Sequence, residues 1–196
     1  MKIHIIIVLA LSLAGCQNVR DRTHDWDRGA WLDLTWDYEA STIYWPTNET
    51  FSHDTVSYGI NEKGYFYASF SYAAEEHGGT HFDAPLHFSE NGRSVEQILP
   101  GEFTGKGICV DVSKKTLVDR VYLIGTEDFM EWEHRHGRIP GQAIVLLHTG
   151  FGQYWKDPLQ YTGTLKTGSE GVGELHFPGL DPEAALWLIE ERNVKA

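Results

Sequence analysis

Four side chains that commonly bind metal ions fall within eleven residues of the sequence. They are His77, His81, Asp83 and His87. Imidazole and carboxylate groups are ligands that divalent transition ions prefer in proteins. One isolated histidine would more often be structural, but three histidines and an aspartate this close together favour a metal site. The spacing therefore predicts that this segment binds a metal ion.

The segment is predicted to be extended or looped, and not helical. The four candidates have odd numbers, so in an extended chain their side chains tend toward one face. A helix would align His77 with His81 but turn Asp83 to the opposite side. The Gly78–Gly79 pair and Pro85 also disfavour a helix. The glycines allow the backbone to come close to an ion.

Two imidazoles and one carboxylate leave at least one coordination position open, which is typical of a catalytic metal site and not of a closed structural one. A bound divalent ion lowers the pKa of a water ligand and polarises a substrate carbonyl. His87 could be a fourth ligand or a proton carrier, because the imidazole pKa lies near neutrality. The spacing alone predicts metal-assisted hydrolysis or lyase chemistry and goes no further.

The composition is that of a globular domain with an acidic surface. The 196 residues are 41% hydrophobic and carry a formal net charge of −12, which disfavours nucleic-acid binding. There are ten histidines and only two cysteines, so a metal site should rest on imidazole and carboxylate. Cys109 lies in an apolar run and is predicted to be a buried free thiol.

The N-terminus has the pattern of an export signal. The apolar run from Ile3 to Leu13 is too short to span a bilayer and fits a signal peptide. It ends in Leu-Ala-Gly-Cys16, which resembles the lipobox of bacterial lipoproteins. We therefore expect residues 1–15 to be a signal peptide, Cys16 to be lipidated and residues 16–28 to be a tether on the periplasmic side of the cell envelope. A plain secretory peptide is the alternative.

The rest of the sequence predicts an α/β domain over residues 29–196 with one mixed sheet and covering helices. Helices are predicted from Thr126 to just before Gly137, and from an N-cap at Asp181 to Arg192. Short apolar or alternating runs predict the strands, namely Trp31–Trp36, Tyr44–Pro46, Gly64–Tyr72, Gly107–Val112 and Ala143–His148.

The stretch from His77 to Phe88, which reads HGGTHFDAPLHF, is followed by several further motifs. They lie at Ser94–Pro100, Gly137–Pro140, Leu147–Gly152 and Phe177–Leu180. Together these motifs resemble the cyclase family of metal-dependent hydrolases, which includes kynurenine formamidase (arylformamidase) and isatin hydrolase. His176 and the insertion between Tyr161 and Glu174 look closest to the isatin hydrolase branch.

This resemblance implies a swivelling β/β/α-type single domain that assembles as a homodimer or a larger homo-oligomer. It implies Zn²⁺ or Mn²⁺ bound by His77, His81 and Asp83, with His87 as the catalytic proton carrier. The implied substrates are aryl formamides or cyclic amides. Family members continue beyond the last helix into a strand and a segment with a further His and a Glu, so we expect this domain to be truncated at its C-terminus.

Three aromatic side chains near the motif are candidates for stacking on a substrate ring: Trp45, Phe82 and Phe88. Packing in the hydrophobic core is the alternative for each of them. Two other functions remain open from the sequence. One is a lipoprotein that binds metal without catalysis, and the other is an aromatic-rich module that binds wall or glycan ligands.

Overall fold

The computed structural model describes residues 29–196. Thr35–Ala196 forms one compact unit, and the described part of the preceding unit, residues 29–34, contains no helix or strand. The predicted signal peptide, the lipidated Cys16 and the tether lie outside the described residues. Among the helices that are described, none is long and apolar enough to cross a membrane.

The strands within residues 29–196 form three two-stranded sheets. An antiparallel hairpin pairs β1 with β2, and two parallel pairs join β3 to β5 and β4 to β6. The strands are β1 (Ser52–Ile60), β2 (Phe66–Ala73), β3 (Gly107–Asp111), β4 (Leu123–Ile124), β5 (Ile144–His148) and β6 (Gly179–Leu180). The mixed α/β class is confirmed. The expected single sheet is wrong for the described residues, because no strand of one pair is hydrogen-bonded to a strand of another pair.

Five helices and several short 3₁₀ turns connect these strands within the described range. The helices are α1 (Ser113–Thr116), α2 (Thr126–His136), α3 (Pro158–Thr162), α4 (Gly168–Gly173) and α5 (Pro182–Arg192). Both predicted helices are therefore confirmed as α2 and α5. The N-cap of α2 is Gly125, whose N–H donates to the Asp128 carboxylate at 2.9 Å. Asp181 caps α5 as predicted, accepting from the Glu183 N–H at 2.8 Å.

The hydrophobic core lies where α2 and α5 cover one face of the β3–β5 pair. Its buried members are Val110, Val112, Ile124, Phe129, Ile139, Ala143, Ala184 and Leu188. Glu133 of α2 and Arg192 of α5 close the edge of this core with a two-pronged ion pair at 2.7 and 3.0 Å. The chain then runs beside β5, where the Lys195 N–H donates to the Ala143 carbonyl at 2.8 Å. The Val145 N–H in turn donates to the Ala196 carbonyl at 2.7 Å, so the last residues lie against β5 without forming a strand.

The other face of the β3–β5 pair is exposed, and this corrects the prediction for Cys109. Cys109 is a free thiol, as expected, but it is exposed and not buried. It pairs in register with Leu146, which is also exposed, because both side chains point away from the covered face. The apolar pattern of β3 could not show that only one of its faces is covered within the described chain.

Two strand predictions failed near the N-terminal end of the described region, at Trp31–Trp36 and at Tyr44–Pro46, where only Tyr44 forms an isolated bridge. Trp31–Trp36 forms no strand, and the Trp36 N–H donates to the Thr80 hydroxyl at 3.0 Å instead of to a neighbouring strand. The strand β1 was missed, although Val56, Tyr58 and Ile60 alternate with small residues before the Asn61–Gly64 turn. The predicted strand at Gly64–Tyr72 is confirmed as β2.

Candidate metal centre

The loop that follows β2 brings the candidate ligands together. His77 Nδ1 lies 2.8 Å from Asp83 Oδ1. His87 comes from the 3₁₀ turn Pro85–His87, and its ring centroid lies 3.7 Å from that of His77. Ligand atoms of His77, Asp83 and His87 all lie within 4.8 Å of one another. The segment is looped, as predicted, and it brings these three side chains together at one point.

His81 approaches the same point from another side. Its Nε2 lies 3.3 Å from Asp83 Oδ1, while its Nδ1 lies 3.0 Å from the carbonyl oxygen of Gly79. When Nδ1–H donates to that carbonyl, the lone pair on Nε2 faces the carboxylate and is free to bind an ion. His81 lies outside the tightest cluster, so three of the four candidate ligands lie close together and His81 is their neighbour.

The donor set fits a divalent transition-metal ion. Bonds of about 2.0–2.2 Å to each ligand require donor atoms within roughly 4.4 Å of one another. The described cluster spans at most 4.8 Å, so small side-chain movements would close it around an ion. Imidazole nitrogens and a carboxylate oxygen are also the right donor chemistry for these ions.

A second segment of chain, residues 36–45, forms hydrogen bonds that support the loop carrying His77 and His81. Its backbone meets the loop in an isolated antiparallel bridge between Tyr44 and Gly78. The Gly79 N–H donates to the Ile43 carbonyl at 3.1 Å. The hydroxyl of Tyr38 lies 2.9 Å from the carbonyl oxygens of both Gly78 and Thr80. These bonds orient the backbone from which the metal ligands project.

Both glycines of the motif are needed for this close approach. A Cβ on Gly78 would lie 2.1 Å from two ring carbons of Tyr44. Gly79 has a φ of 63°, in the left-handed region that favours glycine, and a Cβ there would lie 3.0 Å from the methyl group of Thr42. The sequence predicted that these glycines let the backbone approach an ion, whereas the close contacts in the structure are to Tyr44 and Thr42.

A largely aromatic cavity of about 260 Å³ opens beside the cluster, with His77 and His81 in its wall. Trp45 lies in the same wall and contacts Phe177 edge to face, with ring centroids 6.4 Å apart. Thr149 is one of the few polar residues that line it. A cavity with this lining suits a small planar molecule whose polar group faces the histidines.

Of the three aromatic candidates for substrate binding, the structure places one in this cavity. Trp45 lines it, whereas Phe82 packs edge to face on Phe103 with centroids 4.9 Å apart. Phe88 is 93% exposed beside the ring of His87. Phe82 and Phe88 thus flank the ligands without lining the cavity.

The sequence did not single out most of the aromatic wall. The additional rings belong to Tyr44, Phe151, Trp155, Tyr161 and Phe177. Two of these, Phe151 and Phe177, lie in the motifs that carry the family resemblance, which was the available signal. Burial raises the pKa of Tyr44 and of Tyr161 above the usual phenol value, so both keep their hydroxyl proton at neutral pH.

Comparison with known proteins assigns the family. The Cyclase family model matches residues 32–196. The chain belongs to the cyclase family. Among solved structures, isatin hydrolase A from Ralstonia solanacearum is similar, with a TM-score of 0.68 and 31% identity over 83% of this chain and 63% of that one. Isatin hydrolase A from Labrenzia aggregata, bound to benzyl benzoate, has a TM-score of 0.69 and 30% identity over 83% and 64%.

Curated relatives in the cyclase family carry two names. Isatin hydrolase of Roseibium aggregatum is 27% identical over 124 residues, covering 61% of this chain and 44% of the relative. Kynurenine formamidase of Bacillus thuringiensis subsp. konkukian is 28% identical over 123 residues, covering 60% of this chain and 58% of the relative. The chain therefore spans about half the length of the curated relatives that it matches.

Proposed function

We propose that this chain is a metal-dependent hydrolase that opens an amide bond of an aryl formamide or a cyclic amide. One observation carries the proposal: the His77, Asp83 and His87 cluster lies against an aromatic cavity whose wall includes His77 and His81. Membership of the cyclase family supports it, and so do relatives named isatin hydrolase and kynurenine formamidase.

The proposed metal ligands are His77, His81 and Asp83, with Zn²⁺ or Mn²⁺ as the ion. A divalent ion at this point would polarise the amide carbonyl and make a water molecule more acidic. The Gly79 carbonyl holds His81 in the tautomer that presents Nε2 to the ion. Asp83 supplies the negative charge that an otherwise imidazole-based site needs to hold a cation.

His87 is the proposed proton carrier. Its imidazole would accept a proton from the attacking water and return it to the nitrogen of the breaking amide bond. The ring of His87 lies tilted beside that of His77, with centroids 3.7 Å apart, so it is also close enough to be a fourth ligand. The two roles differ in one measurable respect: a ligand is needed to hold the metal, whereas a proton carrier is needed only for turnover.

The substrate ring is proposed to bind in the cavity, against the wall that Trp45 and Phe177 form together. Aromatic rings stack in offset or edge-to-face contacts that orient them, and the histidines in the wall would then face the amide. Phe82 and Phe88 remain proposed contacts at the outer side of the cluster. Both are about half or more exposed, so a substrate longer than one ring could cover them.

The test of the function is hydrolysis of N-formylkynurenine and of isatin by the purified protein. We expect a chelator to abolish turnover, and added Zn²⁺ or Mn²⁺ to restore it. His81→Ala should lose both metal and turnover, while His134→Ala, which removes an exposed histidine of α2, should retain both. Turnover by metal-free His81→Ala protein would refute the proposal, and stoichiometric metal binding without turnover on either substrate would indicate a metal-binding protein instead.

A second variant separates the two roles of His87. As a proton carrier, His87→Gln should bind metal with the wild-type stoichiometry and lose about 10²–10⁴-fold in kcat. As a ligand, it should lose metal in proportion to activity. Metal content is read by atomic emission and kcat by absorbance of the aromatic product.

We also propose that the protein is anchored at the cell envelope through a lipid on Cys16, and that it assembles as a homodimer or larger homo-oligomer. The lipobox-like sequence supports the anchor. Expressed with its leader in a bacterial host, the protein should fractionate with membranes, and Cys16→Ala should release it to the soluble fraction. Equal membrane association of both proteins would contradict lipidation at this residue.

A further inference from the structure

The wall of the aromatic cavity contains a phenol group, that of Tyr161, which neighbouring side chains hold in place. Tyr161 lies in α3, whose N-cap Asp157 accepts a hydrogen bond from the Gln160 N–H at 3.0 Å. Its ring packs edge to face on Trp155, with ring centroids 5.1 Å apart, and Trp155 is only 9% exposed. Both rings line the cavity. Packing therefore holds the Tyr161 side chain without any hydrogen bond from its hydroxyl.

The Tyr161 hydroxyl has no hydrogen-bond partner within residues 29–196, the part of the chain that the structure describes. By contrast, the Tyr38 hydroxyl bonds two loop carbonyls, and the Tyr122 hydroxyl donates to the Asp128 carboxylate at 3.0 Å. The Tyr161 oxygen is also not enclosed, because Tyr44 has the one side-chain polar atom of these residues that is both buried and unpaired. Tyr161 thus offers an O–H group that a ligand in the cavity can reach.

Tyr44 supplies a second, independent indication that this wall binds a polar ligand. It lines the same cavity, its side chain is nine-tenths buried, and its hydroxyl has no partner among the described residues. Most buried polar groups in folded proteins are hydrogen-bonded, so an unpaired one marks a place where a ligand or a water completes the bonding. One cavity wall therefore leaves two phenol hydroxyls unused. Only the hydroxyl of Tyr161 can be reached without displacing the wall, since that of Tyr44 is enclosed.

The other side-chain hydroxyls of the cavity already take part in hydrogen bonds. The Thr162 hydroxyl lies 2.8 and 3.0 Å from two carbonyl oxygens of its own segment. The Thr149 hydroxyl accepts from a backbone N–H at 3.3 Å. His77 and His81 belong to the ligand cluster. Tyr161 therefore has the accessible hydroxyl of this cavity that the described chain leaves without a hydrogen bond.

The charge of the cavity wall indicates which chemical group this hydroxyl can bind. No Lys, Arg, Asp or Glu lines the cavity within the described residues. Burial raises the pKa of Tyr161, so at neutral pH its phenol is a neutral hydrogen-bond donor. A carboxylate beside it would be desolvated with no cationic side chain in contact, which is unfavourable, whereas a carbonyl oxygen only needs a donor. Tyr161 therefore suits an uncharged carbonyl group.

We propose that Tyr161 is a specificity-determining residue of this site, which donates a hydrogen bond to a second, uncharged carbonyl group on the substrate ring. The inference rests on the proposed function, in which the carbonyl of the amide itself faces the metal. An amide without a second carbonyl would cover the Tyr161 hydroxyl and give it no partner, so it would bind more weakly. The protein then selects a substrate at two points, the amide at the metal and the second carbonyl at Tyr161.

The test measures the binding of acetanilide and of its ortho-, meta- and para-acetyl derivatives to the purified protein in the presence of zinc, by ligand-observed NMR. Acetanilide has one carbonyl, and each derivative adds a second one at a different place on the ring. We expect at least one derivative to bind the wild type more tightly than acetanilide does. Tyr161→Phe should raise the Kd of that derivative by about tenfold, the effect of one net hydrogen bond. The Kd of acetanilide should not rise, because it has no group that the lost hydroxyl could bind.

Tyr154→Phe is the matched control from the neighbouring turn. Tyr154 is also half-buried, and its hydroxyl makes no hydrogen bond within residues 29–196, but its ring contacts Phe151 and does not line the cavity. This variant should leave the Kd of all four compounds unchanged. Both variants should keep the urea midpoint of the wild type, since neither hydroxyl has a partner in the fold to lose.

Three binding results would overturn the proposal: no derivative whose Kd rises in Tyr161→Phe, an equal rise for acetanilide, or an equal rise in Tyr154→Phe. A urea midpoint lowered by Tyr161→Phe would also overturn it, because the hydroxyl would then be bonded within the fold. None of these measurements needs turnover. A protein that binds as expected but hydrolyses neither N-formylkynurenine nor isatin would therefore refute the proposed function and leave the role of Tyr161 in ligand selection standing. In an active protein, Tyr161→Phe should raise KM for an acetyl-substituted formanilide and leave kcat near the wild-type value, because uniform binding is lost.

Discussion

The contact between Gly78 and the ring of Tyr44 gives the sharpest test of how the metal loop is positioned. Gly78→Ala adds a single methyl group. The backbone of Gly78 lies outside the left-handed region, so alanine is tolerated there as far as the chain conformation is concerned. The whole cost must then come from the collision, because the new Cβ would lie 2.1 Å from Cδ1 and Cε1 of Tyr44.

The magnitude follows from how far the ring must move. Ordinary carbon contacts are about 3.5–4.0 Å, so Tyr44 has to shift by roughly 1.5 Å. It is only 9% exposed, and its backbone is tied to Gly78 by the isolated bridge, so it has little room to yield. Overpacking of this kind costs about 1–3 kcal/mol, and we expect a value near 3 kcal/mol here.

A double-mutant cycle isolates this collision from every other effect. Tyr44→Ala alone should lower the free energy of unfolding by about 3 kcal/mol through loss of a buried ring. In that background the three atoms nearest to the new Cβ are removed, so Gly78→Ala should change stability by less than about 0.5 kcal/mol. The coupling energy between the two positions should therefore be about 2.5 kcal/mol, measured by urea denaturation followed by tryptophan fluorescence.

Gly79→Ala is the matched control in the same loop. Its φ of 63° makes alanine cost about 1–2 kcal/mol, and the atoms that crowd its Cβ belong to Thr42 and Tyr38 and not to Tyr44. This cost should be the same with or without Tyr44→Ala. A coupling energy below about 0.5 kcal/mol for Gly78, or one equal to that of Gly79, would show that the ring does not press on the loop as described.

Three further predictions concern other parts of the molecule. Tyr38→Phe removes the hydroxyl that bonds two loop carbonyls, so it should weaken zinc binding about tenfold by calorimetry, while Tyr67→Phe on the hairpin leaves it unchanged. The Arg192 guanidinium lowers the pKa of Glu133, so the stability that this pair adds is present above about pH 4.3 and is lost as the pH falls through the lowered pKa. Glu133→Gln should therefore reduce the loss of unfolding free energy at acid pH, measured by urea denaturation at a series of pH values. An unchanged acid dependence would contradict the assignment. Cys109 should react with iodoacetamide in the folded protein, as read by peptide mass spectrometry, and protection equal to that of a core residue would contradict its exposed position.

The ligand cluster was predictable because it is local. His77, Asp83 and His87 lie within one short loop, and residue types and spacing suffice to suggest a shared ion. Their exact grouping was not predictable. The odd-numbered alternation suggested one face of an extended chain, whereas the 3₁₀ turn at Pro85 brings His87 onto His77 and leaves His81 slightly apart.

The cavity could not be predicted, since its walls come from distant parts of the chain. Trp45 and Phe177 are in contact although more than a hundred residues separate them in the sequence, and no periodicity in either segment predicts that contact. The helices were easier, because Asp181 and Pro182 mark the start of α5 by local chemistry alone. Cap residues act within one helical turn, whereas a cavity depends on how separate elements of the chain pack together.

The segment before Tyr44 shows why alternation of apolar residues can mislead near a functional site. Trp36 and Tyr38 have the spacing of a strand, but their polar groups are used by the histidine loop: the Trp36 N–H by the Thr80 hydroxyl, and the Tyr38 hydroxyl by the carbonyls of Gly78 and Thr80. In a sheet, the backbone groups of this segment would have bonded to a neighbouring strand, and the histidine loop would have lost these hydrogen bonds. Local rules fail here because these residues position the ligands, which is where departures from regular structure are expected.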